Sequence, residues 1–92
     1  MREVNSFLGF NGDLIKKPRF RFTSSCSVCT FILNFFGEMI KVEVLGRLAD
    51  KVHEKISGGK VEVFGKWKER KWRGHCLHYL EAFEVRRDGV KL

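Results

Sequence analysis

One break in periodicity limits what this chain can become. Over residues 28–45, and again over 60–86, apolar side chains tend to recur at every second position. Between these stretches, across Arg47 to Ile56, the apolar residues Leu48, Val52 and Ile56 recur at every fourth, with Ala49 beside them. A period of two is a strand and a period near four is a helix. A helix this short, with so narrow an apolar stripe, does not stand alone in water. It is expected to close one end of a curved sheet, and Ser57, Gly58 and Gly59 stop it.

The flanking segments supply the sheet. Val4 to Phe10 reads as a first strand, with Gly9 and Gly12 punctuating its end. Asp13 to Thr23 reads as a loop or irregular edge strand, because Pro18 cannot donate to a ladder. After a turn at Ser24 to Ser27, Val28–Phe36 and Met39–Leu45 form a hairpin about Gly37–Glu38. Its second strand turns Ile40, Val42 and Val44 inward and Met39, Lys41, Glu43 and Leu45 outward. Lys60–Trp72 is a long strand with Val61 and Val63 on one face and a kink permitted at Gly65. The tight Arg73–Gly74 connection leads to a last strand, Cys76–Arg86, with Leu77, Tyr79 and Phe83 at alternate positions, then a short tail of mixed charge. Three strands, a helix and two strands over residues 1–92 predict one all-β domain. The expected architecture is a five-stranded OB-fold barrel with one short helix between strands 3 and 4.

Charge points to the kind of partner. The formal net charge is +7 and the pI about 9.7, which favours an anionic ligand. The densest patch is GKWKERKWRG, Gly65 to Gly74. As a strand it sets Lys66, Lys68, Arg70 and Trp72 on one face and Trp67, Glu69 and Lys71 on the other. A cationic row ending in an indole suits phosphates with exposed bases; a solubilising edge strand with one buried Trp is the plainer alternative. Lys16, Lys17, Arg19, Phe20, Arg21 and Phe22 repeat the basic-aromatic mixture in the loop, and Phe36 flanks the hairpin turn. No segment reaches the roughly 20 apolar residues of a membrane span, and MREVNSF does not open as a secretory signal. Three cysteines without a secretory context favour reduced thiols and a cytoplasmic protein.

The segment KVEVLGRLADKVHEKISGGKVEVFGKWKERKW resembles the core of bacterial single-stranded-DNA-binding (SSB) proteins. The resemblance rests on Gly46-Arg47-Leu48-Ala49-Asp50, Gly59-Lys60, Val61, Val63, Gly65-Lys66-Trp67 and Arg70-Lys71-Trp72. Leu8-Gly9, Gly12-Asp13, Thr30-Phe31 and Glu81 follow the same plan more loosely. It implies that Trp72 stacks on bases, that Arg70 and Lys66 are basic groove positions, and that Trp67 and Cys29 are buried. Leu45 and Met39 stand where the family has base-stacking aromatics, and the hairpin before the helix is shorter. The brevity also resembles the primosomal replication protein N group, which implies self-association, as a dimer first and a tetramer second.

The expected function is non-catalytic binding of single-stranded DNA in replication, repair or recombination. Its ligand residues are Trp72, Arg70, Lys68, Lys66, Lys41, Lys16, Lys17, Arg19, Phe20, Arg21, Phe22 and Phe36. A primosome-like assembly subunit and a single-stranded RNA binder are the alternatives. No cofactor is expected, and no Ser/His/Asp order, phosphate loop or carboxylate cluster suggests an enzyme. Cys26-x-x-Cys29 with His75, Cys76 and His78 suggests zinc, but the second group lacks a standard spacing. His75 and Cys76, being adjacent, would also face opposite ways on a strand. No metal is therefore assigned, although one at Cys26 and Cys29 stays open.

Overall fold

A computed structural model describes residues 8–92, so the expected first strand lies outside the described residues from Val4 to Phe7. The elements are β1 (Leu8–Leu14), β2 (Arg19–Phe22), β3 (Ser27–Phe35), β4 (Glu38–Leu45), α1 (Gly46–Lys55), β5 (Lys60–Trp72), β6 (His75–Arg87) and β7 (Val90–Lys91). β1 pairs with β5, β5 with β6, β6 with β4, β4 with β3, and β3 again with β1, which closes a ring of strands. β4 and β6 run parallel; the other pairs are antiparallel. No helix among the described residues is long and apolar enough to cross a membrane.

Four of the five ring strands are those expected; the first runs on through Gly9 and Gly12 to Leu14 instead of ending at Phe10, and two further short strands join the ring, so the helix falls between the fourth and fifth. Arg19–Phe22, within the segment read as a loop or irregular edge strand, is a short edge strand paired along β3. Pro18 stands just before that ladder, where its missing N–H costs no hydrogen bond. The tail also returns to pair with β6, through Asp88 and Gly89 at φ 54° and 79°. Both residues of such a two-residue turn need positive φ to match the twist of the strands. Phe36–Gly37 (52° and 89°) and Arg73–Gly74 (49° and 78°) turn the same way. The β3–β4 turn thus sits one residue earlier than expected, and the Asn34 side chain fixes it by accepting the Gly37 N–H at 2.8 Å.

Inward side chains come from every ring strand. Cys29, Phe31 and Leu33 of β3, Ile40, Val42 and Val44 of β4, and Val61 and Val63 of β5 are buried. Burial pushes the Cys29 thiol up to about 11, so it packs as a protonated apolar group. Ala49, Val52 and Ile56 bring the helix end of the chain against this core and plug one mouth of the ring. β6 carries an extra residue where its register with β5 shifts at Phe64/Gly65. That bulge changes parity: Leu80 and Ala82 point inward before it and Val85 after it. Phe83 is half exposed as a result, and Leu77 is left on the outer face at 40% exposure. Gly12 lies where β1 passes from β5 to β3, and a Cβ there would come within 2.5 Å of the Asn34 carbonyl oxygen.

Aromatic rings gather at the mouth opposite the helix. Phe10 meets Phe35 edge-on at 4.9 Å and Trp67 at 6.1 Å between ring centroids. Trp67, expected to be buried, is 44% exposed. Leu8, the first described residue of β1, lies opposite Gly65, and among the described residues β5 beyond that point pairs with β6 alone. Among the described residues, Lys66 to Trp72 and their β6 partners thus form a two-stranded arm beyond the ring pairings.

Candidate nucleic-acid interface

The alternation that fills the core also sorts the outer face. Cross-strand pairing aligns Arg19 with Thr30, Thr30 with Glu43, Glu43 with Glu81, and Glu81 with Lys66. This lateral line runs across β2, β3, β4, β6 and β5 on one surface, because paired residues share a face. Lys41 lies two residues before Glu43 on that face; Lys68, Arg70 and Trp72 follow Lys66 along the arm. Lys16 and Lys17, in the bend before β2, border the same surface beside Arg19, Ile32 and Lys41. The structure thus brings Lys16, Lys17, Arg19, Arg21, Lys41, Lys66, Lys68 and Arg70 onto one continuous surface.

Glu43 is the one buried charged residue there, 7% exposed although its strand turns it outward. Its carboxylate faces the Arg21 guanidinium at 3.7 Å and accepts a hydrogen bond from Arg70 at 3.5 Å. Arg70 also donates to the Tyr79 hydroxyl at 3.1 Å, and its guanidinium lies 4.9 Å from that ring's centroid. These partners raise the Arg70 pKa, Tyr79 most and then Glu43, so the guanidinium stays charged. Lys68 pairs with Glu81 at 3.3 Å. Among the described residues, Lys16, Lys17, Arg19 and Lys41 make no ion pair. The surface thus has cations free to meet an anion and others spaced by two carboxylates.

The Glu43 clamp leads to a directional expectation. Glu43→Gln keeps the shape but removes a negative charge from the middle of the cationic surface. Affinity for an anionic strand should rise by on the order of 1 kcal/mol at low salt and fade as salt screens it. Stability should fall, because Arg21 and Arg70 lose their shared counter-charge. Binding isotherms at two salt concentrations, with a denaturant melt, check both signs.

Aromatic candidates divide by face. Trp72 is 56% exposed at the end of the arm, with the Arg73 guanidinium 4.8 Å from its ring centroid. One indole face is thus covered by a cation and the other is open. Phe22 and Phe36 are 76% and 90% exposed, at the end of β2 and in the β3–β4 turn. β4 and β6 are parallel, so that turn and the arm project from the same end of the ring. Phe20 is different: paired with inward Cys29, it stacks on His53 of α1 at 4.2 Å and 14°, and Phe22, on the same side of β2, meets its ring edge-on at 5.1 Å. It joins β2 to the helix rather than to the cationic surface. Tyr79, Arg73 and Glu43 complete the site but escaped the sequence reading, since their roles depend on neighbours across strands or around a turn.

No protein-family model matches the chain, and no curated protein matches it in sequence. Solved structures do. The crystal structure of an SSB domain from a Synechococcus protein superposes with a TM-score of 0.80 at 15% identity, covering 95% of this chain and 99% of that one. The second single-stranded DNA binding protein (SSBb) of Mycobacterium smegmatis superposes with a TM-score of 0.81 at 19% identity, covering 90% and 86%. The closed ring of strands with the helix across one mouth is therefore the OB-fold that this chain shares with these SSB domains.

Proposed function

We propose that this chain binds single-stranded DNA without catalysis, in replication, repair or recombination. The observation that carries the reading is one outward surface on which Lys16, Lys17, Arg19 and Lys41, without an ion pair among the described residues, lead to Arg70, Lys68 and the open indole of Trp72. The cations meet phosphates, and Trp72 takes a base on its uncovered face, with Phe36 as a further platform. The SSB fold supports this assignment, and so does the net charge of +7. Stacking and charge read no base edges, so binding is indifferent to sequence.

The test is affinity for oligo-dT as a function of salt. Each neutralised phosphate contributes a slope of about −0.7 for single strands, so about five contacts give about −3.5 in log K against log salt. A slope near zero, or equal affinity for duplex, overturns the reading. Matched DNA and RNA oligomers decide the sugar, since stacking alone does not distinguish them.

A further inference from the structure

The other face of the arm carries a group of side chains that the nucleic-acid surface does not use. Cys76 and His78 are two residues apart on β6 and share a face; Glu69 of β5 sits directly opposite His78. The Cys76 thiol donates to Glu69 Oε2 at 2.8 Å, His78 Nε2 lies 3.3 Å from the same oxygen, and Cys76 Sγ is 3.9 Å from His78 Nε2. We infer that Glu69, Cys76 and His78 form a Zn²⁺ site with three protein ligands and an open fourth position.

The spacing supports a single ion. With zinc bonds of about 2.3 Å to sulfur, 2.0–2.1 Å to nitrogen and 2.0–2.2 Å to oxygen, tetrahedral ligands stand about 3.6 Å apart for each sulfur pair and about 3.4 Å apart for nitrogen and oxygen. The observed distances fall within about 0.8 Å of these, which small rotations of exposed side chains supply. A thiolate, an imidazole and a carboxylate suit Zn²⁺ better than Mg²⁺ or Ca²⁺, which prefer oxygen alone. Cys76 enters as the thiolate, giving its proton to water as the ion displaces it from Glu69. Among the described residues this is the one such group of three; Cys29, by contrast, is sealed in the core. The site would tie β5 to β6 just where the arm has left the ring.

Co²⁺ titration of the full chain, followed by Zn²⁺ competition, tests this separately from DNA binding. One equivalent should produce a thiolate-to-cobalt charge-transfer band with tetrahedral visible bands, and Zn²⁺ should bleach both. Cys76→Ser should abolish the charge-transfer band, while Cys26→Ser should leave it. His78→Ala and Glu69→Gln should each weaken affinity more than about 100-fold, beyond the 10–100-fold that a merely supporting group costs. No band in the unaltered chain, a band surviving in Cys76→Ser, or one lost in Cys26→Ser overturns the site. So does half an equivalent per chain, which would mean an ion held between two copies.

Discussion

Trp72→Ala is expected to weaken single-strand binding by about 1–3 kcal/mol, roughly 5- to 150-fold, and to leave the unfolding midpoint nearly unchanged. Both halves follow from its position. The ring is 56% exposed on an arm outside the core, so its removal opens no cavity. Its stacking partner would be a base, and a base lost from a platform is lost from the affinity. The Arg73 guanidinium over the ring sharpens the test. If a base takes the open face, Arg73→Ala costs less than Trp72→Ala and flattens the salt slope by about one phosphate. Trp67→Ala is the contrast: its ring contacts Phe10 at the mouth of the core, so it should lower stability more than affinity. Tryptophan emission during oligo-dT titration and urea melts of the three variants separate these outcomes. Full affinity in Trp72→Ala would remove the stacking half of the proposal and leave charge alone.

The contrast between the two tryptophans shows where the sequence was legible. Period and turn chemistry are local, so the helix, the β3–β4 hairpin, the inward Ile40, Val42 and Val44, and the Arg73–Gly74 turn could be read directly. Trp67 was misjudged although its parity is right: it points the way Val63 does, but it sits at the mouth against Phe10 rather than inside the core and is half exposed. Phe20 looked like a platform among basic residues, and only its pairing with inward Cys29 turns it to the helix. Glu43 was correctly turned outward, but burial came from Arg21 and Arg70, which are far away in sequence. The metal question, on which the sequence assigned nothing, turns on the same thing. The sequence set Cys26 and Cys29 beside His75, Cys76 and His78, whereas the pairing of β5 with β6 brings Cys76 and His78 together with Glu69. What the sequence hid was pairing across strands, which no local window contains.

Gly65→Ala tests the one backbone position on which the arm's direction depends. A Cβ built there would lie 2.1 Å from the Glu81 carbonyl oxygen and 2.7 Å from the Ala82 Cα. Both obstacles are backbone, so no rotamer relieves the overlap. The strands come this close because the register shifts beside Gly65, and β6 bends to pass its extra residue. Accommodating a methyl group means opening the β5–β6 ladder between the core segment and the arm that carries Lys68, Arg70 and Trp72. Overpacking usually costs about 1–3 kcal/mol, and a clash confined to backbone belongs at or above the top of that range. A domain of this size has about 5–10 kcal/mol to lose. The expected result is a stability lowered by about 3 kcal/mol or more, read from a lower urea midpoint at unchanged m-value, with weaker DNA binding in whatever remains folded, since the arm would be re-aimed. Gly58→Ala is the matched control: nothing lies within 4 Å of its Cβ, so it should be neutral or slightly stabilising. If the two variants melt together, β5 and β6 do not approach each other as described, and the arm's placement over the cationic surface falls with that approach.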